Sequence, residues 1–78
     1  MTIRDPFSTY GRRFNPAALV LAMERIGYSH SGVAFEMAKR PYEIRNWANG
    51  TRWPSVGNLM RLCEILKCRP DDLAPKLP

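Results

Sequence analysis

At 78 residues the chain is long enough for one hydrophobic core and too short for two domains. Its 45% hydrophobic content excludes an intrinsically disordered segment, which is poorer in apolar residues. Twelve Lys and Arg against seven Asp and Glu leave a net charge of +5, which favours polyanionic partners but also serves solubility, so the placement of the charges decides its meaning.

In chain order, residues 1–14 read as an N-terminal arm. Arg4, Asp5, Arg12 and Arg13 break it up too often for a signal peptide, and the run Ala17 to Met23 is too short to span a bilayer. Asn15 followed by Pro16 predicts an N-cap with proline at the first helical position. Leu19, Ala22, Met23 and Ile26 then recur on one face until Gly27. Ser31 is expected to cap a short second helix with Val33, Ala34 and Met37 inward, followed by a turn through Ala38 and Lys39. Pro41 opens a third helix that Gly50 ends. Its apolar stripe is Ile44, Trp47 and Ala48, and its polar stripe, at i, i+3, i+4 and i+7, is Tyr42, Arg45, Asn46 and Asn49.

After the loop Thr51-Arg52-Trp53-Pro54, Ser55 caps a fourth helix with Val56, Leu59, Leu62, Cys63 and Leu66 inward. Arg69 to Leu73 forms a last turn, with Asp71 and Asp72 near its N-terminal end as the helix dipole prefers. Residues 75–78 are a C-terminal tail, which leaves 15–74 as the folded domain. Cys63 and Cys68 match neither a zinc pattern nor Cys-x-x-Cys. Both are read as buried thiols of a reducing, cytoplasmic compartment, their five-residue spacing across a helix end being poor for a disulfide.

Gly27-Tyr28-Ser29-His30, Val33-Ala34, Met37, Ile44, Trp47, Asn49-Gly50, Pro54-Ser55, Leu59, Leu62, Leu66 and Asp71-Asp72-Leu73 resemble, in type and spacing, the helix-turn-helix core of the Cro/repressor-like or XRE family of phage and bacterial regulators. The resemblance implies an all-α, compact five-helix lambda-repressor-like domain whose third helix enters the major groove of double-stranded DNA. Carried over by position, it implies base reading by Pro41, Tyr42, Glu43, Arg45, Asn46 and Arg52, and phosphate contacts by His30, Arg40, Asn49 and Thr51. Arg45 suits guanine O6 and N7, and Asn46 suits adenine N6 and N7, while Pro41 and Tyr42 suit a thymine methyl. Arg12 and Arg13 are candidate arm contacts to DNA, and a disordered basic tail is the alternative.

Three departures from the family pattern stand out. Ala38 occupies the usual glycine of the turn, Met23 and Ala48 replace an arginine–glutamate pair, and Glu43 places a carboxylate in the reading helix, where it repels phosphates or accepts from cytosine N4. Trp47 is expected in the core, and Trp53 to pack under the loop.

Val20, Leu21, Phe35 and Ile65 fall at positions that helical periodicity leaves outside. The arm, through Ile3, Phe7, Tyr10 and Phe14, or a second copy in a homodimer on DNA, would cover them, and the sequence does not choose between the two. No cofactor, metal, membrane or small-molecule ligand is expected. An enzyme is not expected either, because paired carboxylates, a Gly-rich phosphate loop and an activated nucleophile are all lacking. The expected function is transcriptional regulation by a repressor or Cro-like protein, and the alternative is an interaction module on the same fold, such as an antirepressor or antitoxin.

Overall fold

A computed structural model describes residues 6–78. A 3-10 turn at Ser8–Tyr10 leads into five α-helices: α1 (Pro16–Ile26), α2 (His30–Met37), α3 (Pro41–Asn49), α4 (Val56–Leu66) and α5 (Pro70–Leu73). The domain is all-α. Among the described residues the only β-type pairing is an isolated antiparallel bridge between Arg12 and Lys76.

The starts of α1, α2 and α4 follow from side-chain caps. Asn15 Oδ1 accepts from the backbone N of Ala17 at 3.1 Å, and Ser55 Oγ accepts from Asn58 N at 3.1 Å. For α2 the expected cap was Ser31, and the structure corrects it to Ser29, whose Oγ accepts from Gly32 N at 3.0 Å. The reason lies in how α1 ends. Tyr28 N donates back to Met23 O at 2.9 Å, so the chain leaves α1 at Gly27, is extended at Ser29 and turns helical from His30. Ser31 is thereby already inside the helix.

That closure recurs. Each of α1 to α4 ends in one left-handed residue, Gly27, Ala38, Gly50 or Lys67, followed by a residue whose N–H returns to the last turn. Glycine adopts this conformation without steric cost at φ 84° and 82°. Ala38 at φ 55° and Lys67 at φ 54° adopt it against the clash of their own Cβ. The unusual turn residue noted in the sequence is therefore in the strained region that glycine would relieve.

Leu19, Val33, Ile44, Leu62, Leu66 and Leu73 are fully buried and join all five helices in one core. Met23 is buried and Ala48 half-buried against the same cluster. Trp47 is core, and Trp53 packs half-buried against it. Gly50 lies close to the start of α1, since a Cβ there would sit 3.3 Å from Pro16 Cγ.

The described part of the 1–14 segment packs on the helices. Phe7 and Phe14 are buried with ring centroids 6.2 Å apart, while Tyr10 stays exposed and Ile3 lies outside the described residues. The two chain ends pair: Asn15 N donates to Leu73 O at 2.8 Å, Arg13 N to Pro75 O at 3.1 Å and Leu77 N to Gly11 O at 2.8 Å. Leu21 and Phe35 remain exposed, at 66% and 83%, whereas Val20 and Ile65 are half-buried. Among the described residues no helix is long and apolar enough to cross a membrane.

Candidate nucleic-acid interface

α2 and α3 form a helix-turn-helix pair around Ala38, and α3 is anchored by Ile44 and Trp47 against the core. Burial of that stripe turns the opposite one outward. Pro41, Tyr42, Arg45 and Asn49 are exposed, Asn46 is half-buried, and Arg52 is exposed in the following loop. Tyr42, Arg45, Asn46 and Asn49 therefore run along the outward side of α3, and Arg52 follows in the exposed loop.

Electrostatics sharpen this side. Between Ala38 and Ser55 the cations are Lys39, Arg40, Arg45 and Arg52, and the sole carboxylate is Glu43. Glu43 is half-buried, and its Oε2 accepts from Arg40 N at 2.9 Å while its own N donates to Arg40 O at 3.0 Å. It satisfies a backbone donor that Pro41 and the start of the helix would leave without a partner. This structural task was not read from the sequence, where Glu43 was placed among the base readers. Among the described residues none of the four cations is held in an ion pair.

The loop after α3 is held by side chains. Asn49 Oδ1 accepts from Thr51 N at 3.0 Å and from Thr51 Oγ1 at 2.7 Å, and Thr51 and Arg52 both donate their N–H to Asn46 O, at 3.0 and 3.2 Å. Asn49 keeps its Nδ2 donors for an external acceptor, whereas the Thr51 hydroxyl hydrogen is used within the loop. The backbone at Arg52 is thereby held in place, while its side chain is exposed.

Between α3 and the start of α4 lies an open groove of about 480 Å³, lined in part by Tyr42, Asn46, Arg52 and Trp53. Lys39 and Asn58 also line it, and neither was expected there. Lys39 had a legible signal, a cation one turn before the polar stripe. Asn58 had none, because its place depends on the angle between α3 and α4.

The remaining expected contacts lie elsewhere. His30 is the first residue of α2 and is half-buried beside Val20, Met23 and Glu24. Arg40 is exposed at the entry to α3. Arg13 is exposed at the paired chain ends, on the opposite flank of α1 from the α2–α3 turn in sequence. Arg12, expected as a candidate arm contact, has its guanidinium in an ion pair with Asp71 and donates to Ala74 O at 3.0 Å, which ties the chain ends together. That guanidinium holds the Asp71 carboxyl below the usual carboxylate range. Both cysteines are free thiols; Cys63 is buried and pushed up to about 12 chiefly by that burial, and Cys68, expected buried, is half-buried and raised for the same reason. Among the described residues no three of His, Cys, Asp or Glu cluster as a metal site.

No family model and no curated protein matches the chain. Among solved structures it is similar to the crystal structure of apo-HppE, with a TM-score of 0.68 and 21% identity, the match covering 77% of this chain and 34% of that one. The chain thus spans about a third of the length of that structure, and the likeness shows a shared fold alone.

Proposed function

We propose that this chain is a sequence-specific DNA-binding regulator of the Cro/repressor-like kind, with α3 lying in the major groove. Arg45 and Asn46 read base edges, Tyr42 and Pro41 contact thymine methyls, and Arg52 assists from the loop. Lys39, Arg40, Asn49 and His30 hold phosphates. The carrying observation is the exposed stripe of α3, flanked by unpaired cations, with Glu43 the sole carboxylate of the segment and engaged with the backbone N–H of Arg40. A polyanion is the partner that such a surface attracts. Binding as a homodimer to near-palindromic sites goes with the proposal.

Selection from random-sequence duplex DNA tests it. The expected outcome is one enriched site, bound with an affinity that falls with salt at a log–log slope of about 0.9 per phosphate contact. Arg45→Ala is expected to relax the preference at one base position. Failure to enrich any site, or specific binding untouched by Arg45→Ala, overturns it. Exposed Leu21 and Phe35 favour a second reading, a protein-interaction module on the same fold, which the first of those failures would support.

A further inference from the structure

The end of α4 brings the two cysteines together. Their five-residue spacing across a helix end argued against a bridge. The helix closure changes this: Lys67 is left-handed at φ 54° and ψ 49°, and Cys68 N donates back to Cys63 O at 3.0 Å. A backbone hydrogen bond of this return type joins the fourth-last residue of the helix to the second residue beyond it, and a side-chain contact between the two frequently accompanies it. Here those two positions carry Cys63 and Cys68, both free thiols. One is buried and the other half-buried, so a small reagent reaches Cys68 first.

We propose that Cys63 and Cys68 are a thiol–disulfide site, closed by exchange with a low-molecular-weight disulfide such as oxidised glutathione. Cys68 Sγ, on losing its proton, attacks one sulfur of the reagent. A mixed disulfide forms, and the first thiolate leaves and takes up a proton. Cys63 Sγ, deprotonated in turn, attacks Cys68 Sγ, forming the Cys63–Cys68 bond and expelling the second thiolate, which is also protonated. Two protein thiols are oxidised by two electrons, and one small disulfide is reduced to two thiols.

The bond staples the end of α4 to the entry of α5, and α5 carries Asp71, the partner of Arg12 at the paired chain ends. α5 packs on α1 and α4 and not on α3, so closure acts on the cohesion of the domain and leaves the face of α3 in place. Slow closure is expected at neutral pH, because burial keeps both thiols protonated.

The test is equilibration of the 78-residue chain in a glutathione redox buffer, folded and in urea, with the products resolved by mass. The expected result is a monomer lighter by two hydrogens, formed with an equilibrium constant at least about tenfold greater in the folded chain than in urea. By linkage, the oxidised protein then also melts at a higher temperature than the reduced one. Cys68→Ser, which alters only a half-buried position, is expected to melt at one temperature in both buffers. A folded chain that closes no more readily than the unfolded one, that stops at the mixed disulfide, or that melts lower when oxidised overturns the proposal.

Discussion

Glu43 Oε2 accepts a hydrogen bond from the backbone N of Arg40 at 2.9 Å, so the one carboxylate between Ala38 and Ser55 serves the start of α3 from within that helix. The arrangement separates charge from capping. Glu43→Gln keeps an acceptor for Arg40 N and removes the negative charge; it is expected to change stability little and to tighten DNA binding at low salt. Glu43→Ala removes the cap and is expected to cost roughly 1 kcal/mol. Urea denaturation and DNA titration of the two variants check this.

Ala38 holds the turn between α2 and α3 at φ 55° and ψ 43°. Replacing it by glycine removes the Cβ clash of the left-handed conformation and is expected to stabilise the fold by about 1 kcal/mol, after allowance for the more flexible unfolded chain. Thermal melting is the measurement, and an unchanged or lower Tm contradicts the strain argument.

Gly32 is the reverse case. In the first turn of α2 an alanine would normally help a helix, but a Cβ there would meet Tyr28 Cδ1 at 2.9 Å, on a residue whose backbone N–H is tied to Met23 O. Gly32→Ala is expected to destabilise by about 1–3 kcal/mol. Adding Tyr28→Ala should recover part of that loss, a coupling that a double-mutant cycle in urea measures.

Asn49→Ala removes the acceptor for both the N–H and the hydroxyl of Thr51. DNA affinity is expected to fall alike for all sequences, and the loop carrying Arg52 to loosen. Faster amide exchange at Thr51, where the hydrogen bond from Thr51 N to Asn46 O also lies, would report the loosening without DNA.

Stability should decline at both ends of the pH range. Asp71 is depressed by Arg12 below its ordinary 3.8, so its contribution is complete above that value and is lost as the pH falls through the lower folded value. Cys63 is raised from 9.0 to about 12, so the folded state retains a proton that the unfolded chain releases. Its contribution is complete below about pH 9 and is lost between there and pH 12, at up to about 1.4 kcal/mol per pH unit. Urea unfolding across pH should show a shallower acid limb in Asp71→Asn and a shallower alkaline limb in Cys63→Ala, each relative to its own plateau.

The local signals of this chain were legible because they act over three or four residues. Asn15-Pro16, Pro41, Gly50 and Ser55 mark helix boundaries by backbone hydrogen bonding alone, and the spacing of Ile44 and Trp47 determines which face of α3 is buried and which is free. The polar stripe of Tyr42, Arg45 and Asn49 follows from that spacing, since a helix that buries one side must expose the other. Ser29 was missed as a cap because Ser31 offers the same chemistry two residues later. The choice between them rests on where the closure of α1 at Gly27 releases the chain.

Only the packed chain decided the rest. Glu43 turned onto the backbone, Arg12 engaged with Asp71 59 residues away, and Phe7 and Phe14 were buried under the paired ends. Arg12 carries the same charge as Arg45, and local sequence does not distinguish a cation held by a distant carboxylate from one left facing solvent. That distinction is a matter of long-range geometry, which core packing sets and short-range hydrogen bonding does not.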